Sequence, residues 1–260
     1  HHPPQMQIGV VYAALAYTLW GLFPLFFKQL AGAGALEVVL HRFVWSLVFV
    51  LLVLAVLRRW AWLRAVFRAR RVVGTFALSA TLLAGNWLVY IWAVNNDHVL
   101  DASLGYFILP LVNVALGYVF LHERPRRVQW LAFAVACAGV LWLTVQGGRL
   151  PWVALTLALT FGLYGLLRKL APLGALEGLS LETMLLAPFA MLVLVWMTWH
   201  GQGALARHDS TQLSWLVLAG PVTAIPLLLF AAGARRIPLS MMGILQYIAP
   251  SILVLLGVWL

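Results

Sequence analysis

The chain has 260 residues, of which 64% are hydrophobic and only 9% are charged. This leaves too little polar surface to cover a globule in water, and a soluble fold is therefore excluded. Lys and Arg outnumber Asp and Glu by 17 to 7, which gives a net charge of +10. The basic residues lie in short segments between long uncharged runs, which favours the loops of a membrane protein over a nucleic-acid surface. We therefore predict a lipid bilayer as the surroundings and no nucleic-acid partner.

Nine apolar segments are each long enough to cross the bilayer core, which takes about 20 residues of helix. The runs are continuous, whereas the strands of a membrane barrel would alternate between apolar and polar residues. We predict an all-α integral membrane protein with the architecture of a polytopic helical bundle. The predicted spans are 8–27, 36–57, 72–94, 99–121, 128–146, 151–167, 179–199, 212–233 and 238–260.

The distribution of basic residues predicts how these spans are oriented. Thirteen of the 17 Lys and Arg lie in the even-numbered loops, Arg168 and Lys169 among them, and three lie in the odd-numbered loops. Cytoplasmic loops of membrane proteins carry an excess of Lys and Arg. We therefore predict a cytoplasmic N-terminus and a location in the plasma membrane, which is the inner membrane of a bacterium.

The sequence also repeats itself after about 140 residues, as Trp20–Lys28 matches Phe161–Lys169 and Pro110 matches Pro250. A unit of five helices is odd, so the second copy enters the membrane from the other side, an arrangement typical of secondary transporters. We predict a 5+5 inverted repeat with nine of the ten transmembrane helices in this chain, the tenth helix being absent. The two units are predicted at residues 1–147 and 148–260.

The sequence offers little for metal or cofactor chemistry. Cys137 is the single cysteine, so a disulfide framework and a cysteine metal site are both excluded. His98 and Asp101 are three residues apart without further ligands, and Asp101 is better explained as a residue at a helix start. We predict no metal site and no cofactor.

Short polar and aromatic motifs occur in order along nearly the whole chain. They are Trp20-Gly with Pro24 and Phe27-Lys28, His41-Arg42 with Trp45-Ser46, Gly85-Asn86-Trp87 with Asn95-Asn96, Tyr106-Phe107 with Pro110 and Asn113, Tyr164-Gly165 with Arg168-Lys169, Leu181-Glu182-Thr183, and Gln246-Tyr247-Ile248 with Pro250. In these motifs the sequence resembles the RarD-like permeases of the EamA group in the drug/metabolite transporter superfamily. The resemblance implies a ten-helix, 5+5 inverted-repeat permease that moves small organic compounds.

Small and polar side chains form a stripe along the fourth predicted helix, and the ninth repeats it. Proline frees backbone carbonyls inside the membrane, which is tolerated beside protein or a water-filled cavity. Large polar side chains need a partner in lipid, so we predict that the stripe lines the pathway, with tight helix packing as the alternative. The predicted substrate-binding residues here are Tyr106, Asn113, Gln246 and Tyr247, and the predicted gating residues are Pro110 and Pro250.

The third predicted helix presents a polar and aromatic face that suits a small ring-bearing or amphiphilic cargo. Aromatic residues of the first and sixth helices are predicted to close the same cavity. The alternative is an aromatic belt at the membrane interface. The predicted substrate-binding residues of this group are Tyr17, Trp20, Asn86, Trp87, Tyr90 and Tyr164.

Charged and titratable residues inside the spans are the remaining candidates. Arg42 lies about 9 Å into the second helix, where an arginine costs about 2.5 to 3.5 kcal/mol on insertion scales. We predict that Arg42 binds an anionic group of the cargo or a backbone carbonyl, with snorkelling to the interface as the alternative. His41 and Glu182 are candidates for proton coupling, although Glu182 also suits a helix start.

These patterns predict a secondary transporter, a permease or exporter, that moves small metabolites or drug-like compounds by alternating access. Its predicted partners are the small-molecule substrate, the lipid bilayer and protons. The sequence lacks a phosphate-binding GxxxxGK[ST] loop and the HExxH and GxSxG motifs, so we predict no enzyme and no catalytic residue. A membrane-embedded enzyme and a lipid scramblase are the alternatives.

Overall fold

The computed structural model describes residues 3–259, and the side chains of residues 3, 94, 99, 253, 254 and 257–259 fall outside that description. Its regular structure is helical, as lipid requires, because a helix satisfies its own backbone polar groups. The helices are α1 Pro3–Gly21, α2 Phe23–Phe27, α3 Ala35–Leu57, α4 Ala61–Arg68, α5 Arg70–Asn95, α6 Val99–Leu121, α7 Arg127–Gly147, α8 Trp152–Leu170, α9 Ala175–Trp199, α10 Gly203–Ala206, α11 Ser210–Ala234, α12 Leu239–Leu245 and α13 Ile248–Trp259, with a 3₁₀ turn at Lys28–Leu30.

Within the described residues, eight helical segments are long and apolar enough to cross a membrane. They correspond to the first eight predicted spans, the first one running through α1, α2 and the 3₁₀ turn as Pro4–Leu30. The prediction of a polytopic helical membrane bundle is thereby confirmed.

The ninth predicted span, 238–260, is not one continuous helix. It consists of the shorter helices α12 and α13, which are separated at Gln246 and Tyr247. Pro250 has no N–H to donate to the carbonyl of Gln246, and it sits in the first turn of α13, where proline is tolerated. The predicted ninth span is therefore helical but interrupted, because Pro250 removes a backbone hydrogen bond at the break.

The connections between successive spans fall at two opposite ends of the bundle. We call the end with residues 58–69, 122–126, 171–174 and 235–238 the arginine-rich face, and the end with residues 28–34, 96–98, 148–151 and 200–209 the opposite face. Arg168 and Lys169 were predicted in a loop, but α8 runs to Leu170 and includes both. The difference arises because buried partners on α9 and α11 stabilise these two cations inside the bundle.

The core lies where α1, α8 and α11 meet. An aromatic cluster fills it, with Phe161 and Phe230 at a centroid distance of 5.2 Å and Tyr164 stacked on Phe230 at 6.2 Å. Glycines allow close helix crossings, since a Cβ on Gly220 of α11 would lie 2.5 Å from the backbone oxygen of Trp45 on α3. In contrast, α7 buries none of its described residues and packs at the edge against α6.

Candidate functional site

Arg42 lies inside the bundle, where three helices contact its side chain. Its Nε donates a hydrogen bond to the Thr223 hydroxyl of α11 at 2.9 Å. Its Cζ lies 3.9 Å from the centroid of the Trp87 ring of α5, a distance at which the ring face attracts a cation. Phe23 and Phe27 of α2 lie further out, at 5.8 and 5.5 Å from Cζ. These contacts favour an interior position over snorkelling.

The charge of Arg42 is not neutralised by any residue that the structure describes. Ion pairs join Arg59 to Glu177, His98 to Asp101 and Arg168 to Glu182, and none involves Arg42. The bond from Nε to Thr223 is the only hydrogen bond of the guanidinium in the described part of the chain. Both terminal Nη atoms are therefore available to a ligand.

Tyr90 of α5 and Tyr106 of α6 lie on the same side of the bundle interior as Arg42. Their rings contact each other at a centroid distance of 6.5 Å, and both hydroxyl groups are within electrostatic range of the Arg42 guanidinium. The two tyrosines are nevertheless 41% and 48% exposed. Each ring is therefore only partly covered by the described residues, and we call Arg42, Trp87, Tyr90, Tyr106 and Thr223 the Arg42 cluster.

Pro110 has a structural consequence where α6 crosses α12. Because it lacks an N–H, the carbonyl of Tyr106 has no partner within α6, and Gln246 Nε2 donates to that carbonyl at 3.4 Å. Gly243 allows the approach, since a Cβ there would lie 2.8 Å from the Pro110 oxygen. Gln246 and Asn113 are 4% and 5% exposed. The predicted stripe on α6 is thus divided between a buried crossing and the exposed ring of Tyr106.

Glu182 lies in a buried polar network. Its Oε2 accepts a hydrogen bond from the Ser79 hydroxyl at 2.7 Å, and its Oε1 accepts one from the Tyr164 hydroxyl at 3.2 Å and forms an ion pair with Arg168. The interpretation of Glu182 as a helix-start carboxylate is wrong, because α9 begins at Ala175 and Glu182 is its eighth residue. The sequence analysis did not predict this ion pair. The signal was that Arg168 and Glu182 carry opposite charges in neighbouring apolar segments.

Several predicted substrate-binding residues lie outside the Arg42 cluster. Tyr17 and Tyr164 are 2% and 0% exposed and pack, with Trp20, into the aromatic cluster. The Asn86 amide donates to the Leu157 carbonyl and to the Thr160 hydroxyl of α8, both at 3.0 Å. Tyr247 is 43% exposed and lies at the break between α12 and α13. None of these five residues makes a described contact with Arg42.

The neighbouring His41 points to a different part of the bundle. Its Nδ1 accepts a hydrogen bond from Trp45 Nε1 at 3.1 Å, and its buried Nε2 has no partner among the described residues. Together with Glu37 it borders a small cavity beside the connection at 200–209. Successive helical residues point in different directions, so His41 and Arg42 lie in separate environments.

We expect replacement of Asn86 by leucine to destabilise the α5–α8 contact without affecting cargo binding. Hydrogen bonds between transmembrane helices contribute about 0.6 kcal/mol on average and up to about 1.7 kcal/mol, so a loss in that range is expected. Thermal unfolding in detergent followed by tryptophan fluorescence measures it. Leu88→Ala is a control on the exposed face of the same helix. Weaker cargo binding at unchanged stability would contradict this assignment.

Comparison with known proteins shows extensive similarity. Residues 7–145 match the EamA-like transporter family. The chain is 46% identical to Protein RarD of Streptomyces exfoliatus, over 95% of this chain and 78% of that protein. It is 48% identical to the uncharacterized transporter YojE of Bacillus subtilis, over 96% and 85%, and 42% identical to Protein RarD of Escherichia coli, over 98% and 86%.

A solved crystal structure has a similar fold. It superimposes with a TM-score of 0.69 over 96% of this chain and 86% of the other, at 17% sequence identity. At this identity the match concerns the fold alone.

Proposed function

We propose, from the premise that this chain belongs to the EamA-like transporter family, that it is a secondary transporter which moves small organic molecules by alternating access. The membership rests on the family match and on relatives that are 42% to 48% identical over almost the whole chain. It confirms the resemblance to RarD-like permeases and makes the chain an integral membrane transporter with a small-molecule substrate. The observation that carries the finer proposal is the Arg42 cluster, since a cation inside a membrane bundle marks a substrate pathway.

Many transporters that work by alternating access are built from two similar halves, and the helix packing supports an inverted repeat here. With an offset of 140 residues, α1, α3, α5 and α6 correspond to α8, α9, α11 and α12–α13. The contact of α1 with α11 then corresponds to that of α8 with α5, and the contact of α3 with α11 to that of α9 with α5. The contacts of α3 with α9 and of α6 with α12 correspond to themselves. We therefore propose residues 1–147 and 148–260 as the two halves.

Two equivalent glutamates support the same proposal. Glu37 and Glu177 both end the sequence Gly-Ala-Leu-Glu at the start of α3 and α9. Glu37 accepts a hydrogen bond from the Ala204 N–H at 2.7 Å, and Glu177 lies 3.9 Å from Arg59. Glu37 thus contacts the connection before α11, and Glu177 contacts the connection before the equivalent helix α5, one at each end of the bundle.

Contacts at the arginine-rich face favour a closed gate there. Lys169 Nζ of α8 donates to the Ala234 and Ile237 carbonyls at 2.8 and 2.6 Å, and Arg235 donates to the Ala171 carbonyl at 2.6 Å. We propose that these bonds break when the transporter opens to this face, which the excess of basic residues assigns to the cytoplasm. The N-terminus is then cytoplasmic.

Of the two side chains predicted to carry a proton, His41 is the better candidate. Glu182 is occupied by Arg168, Ser79 and Tyr164, whereas His41 has a nitrogen with no partner among the described residues. We propose His41 as the coupling residue. Uptake that is equal with and without a pH gradient would contradict proton coupling.

Cysteine accessibility tests alternating access directly. In a Cys137→Ser background, which removes the single cysteine, we expect Tyr106→Cys to react with a membrane-impermeant maleimide from either side of sealed vesicles. The reason is that we propose a pathway beside residue 106 that opens alternately to the two faces. Saturating cargo is expected to slow the reaction from at least one side.

Phe189→Cys in the same background is the matched control. Phe189 is 70% exposed in the middle of α9, and we expect it to face lipid, so it should remain unmodified from both sides. Reaction of residue 106 from one side only, with or without cargo, would contradict alternating access. Lipid movement between leaflets by the purified protein, or chemical conversion of its cargo, would instead indicate the scramblase or the enzyme.

A further inference from the structure

We infer that the Arg42 cluster binds a carboxylate, and that the cargo is a small organic monocarboxylate with an apolar or aromatic body. This inference rests on the proposed transport function and specifies its substrate class. It starts from the contrast between two arginines inside the bundle. Arg168 is paired with Glu182, whereas Arg42 has no carboxylate partner in the described part of the chain.

The two buried carboxylates of the described residues, Glu37 and Glu182, are both engaged elsewhere, and Glu37 accepts a hydrogen bond from the Ala204 N–H. Glu182 is the residue that the 140-residue offset places opposite Arg42 in the second half. Both oxygens of Glu182 are already engaged, by Arg168, Ser79 and Tyr164. A buried charge without a counter-charge is unfavourable, so the anion that neutralises Arg42 must come from outside the described chain.

The geometry of the guanidinium selects the shape of that anion. Thr223 occupies Nε, and the ring of Trp87 lies against the guanidinium face, which leaves the two Nη atoms. Two parallel N–H groups match the two oxygens of a carboxylate. Tyr90 and Tyr106, whose rings contact each other at 6.5 Å, add two hydroxyl groups to the same cluster. One cation balances a monocarboxylate, whereas a doubly charged phosphate would need a second one.

The surroundings of the cluster select the rest of the cargo. Phe23 and Phe27 lie within 6 Å of the Arg42 guanidinium carbon. Phe43 stacks on Trp87 at a centroid distance of 4.8 Å, so Phe43 and Arg42 both contact the Trp87 ring. Rings of phenylalanine and tyrosine therefore border the space next to the Nη atoms. An apolar or aromatic body fits there better than a polar one.

The experiment compares an anionic and a neutral probe of the same shape. We expect 3-phenylpropionate to raise the unfolding temperature of the detergent-purified protein in a saturable manner, and its neutral analogue 3-phenylpropionamide to have no such effect. Arg42→Gln should weaken binding of the carboxylate by roughly tenfold or more. Arg42→Lys should weaken it by less, because lysine keeps the positive charge but lacks the two parallel N–H groups. Arg149→Gln, which removes an exposed loop cation, should bind like the parent protein.

A second variant guards against misfolding of Arg42→Gln. Tyr106→Phe keeps the ring and removes one donor, and it should weaken carboxylate binding by a few fold. Equal binding of carboxylate and amide, no binding of either, or unchanged carboxylate binding by folded Arg42→Gln would each overturn the inference. So would an Arg42-dependent stabilisation by added phosphatidylglycerol that the carboxylate does not reproduce, since the anion would then be a lipid headgroup.

Counterflow of radiolabelled 3-phenylpropionate in proteoliposomes separates this inference from the transport proposal. Carboxylate binding without counterflow would leave the site intact and overturn transport of that class. Counterflow of the amide at the rate of the carboxylate would support transport and overturn the anion site.

Discussion

Replacement of Glu182 by glutamine is expected to lower the free energy of unfolding by about 3 to 5 kcal/mol, because it leaves a buried cation without its counter-charge. Arg168 is 1% exposed at its side chain and Glu182 0%, so water cannot solvate the remaining guanidinium. Arg168 also packs against Gly178, where a Cβ would lie 2.7 Å from Nη2, and this leaves little freedom to move away. The measurement is thermal unfolding in detergent, monitored by tryptophan fluorescence and by size-exclusion chromatography.

Two further variants test whether the loss of stability comes from the buried charge. Glu177→Gln is the matched control on the same helix, since its ion pair with Arg59 is 3.9 Å long and Arg59 is 60% exposed. Exposed pairs contribute about 0 to 1 kcal/mol, so this variant should stay close to the parent protein. Glu182→Leu combined with Arg168→Met should recover much of the loss, because neither charge then remains buried. Equal stability of Glu182→Gln and Glu177→Gln would contradict the assignment of a buried pair.

Replacement of Gly220 by alanine is expected to destabilise the protein by about 1 to 3 kcal/mol, as overpacking does in closely packed cores. The added Cβ would lie 2.5 Å from the Trp45 oxygen and 2.6 Å from its carbonyl carbon. These are backbone atoms in the middle of α3, and they cannot move without shifting the helix. The hydrogen bond from the Ser46 hydroxyl to the Gly220 carbonyl, at 3.4 Å, should be lost as well.

The same crossing holds Arg42 against Thr223 one turn further along α11, so Gly220→Ala should also weaken carboxylate binding. Gly139→Ala on α7 is the control, since no atom lies within 4 Å of a Cβ placed there. Alanine favours helix over glycine, so this variant should be neutral or slightly more stable. Unfolding temperatures of both variants provide the comparison. A Gly220→Ala protein as stable as Gly139→Ala would contradict a tight α3–α11 contact.

Most of the fold follows from local properties of the sequence. Long apolar runs predict the spans correctly because each segment's own hydropathy decides whether it is stable in lipid, whatever its neighbours are. The exceptions occur where one residue changes a helix. Pro250 turns a predicted span into α12 and α13, and Arg168 and Lys169 extend α8 past its predicted end because partners on other helices accept their hydrogen bonds.

The candidate site was predicted less completely than the fold. Arg42, Trp87, Tyr90 and Tyr106 come together in the structure, and their role in substrate binding stays a prediction. Thr223 and Ser79 were missed, because a hydroxyl residue in a transmembrane helix often bonds only its own backbone and has no distinctive pattern. Asn86 was assigned to cargo, but its amide bonds two groups of α8. The spacing of residues along one helix shows which side chains share a face, but it does not show which other helix packs against that face.

From its sequence alone, the chain was determined to be a helical membrane protein, because apolar length and internally bonded helices are properties of each segment. Only the tertiary structure decided what the polar residues of those segments do. Tyr90 and Tyr164 both lie in apolar helices, yet Tyr90 is 41% exposed beside Arg42, while Tyr164 is fully buried and donates to Glu182. The difference depends on how each helix is rotated against its neighbours, and that rotation is set by packing among residues far apart in the chain.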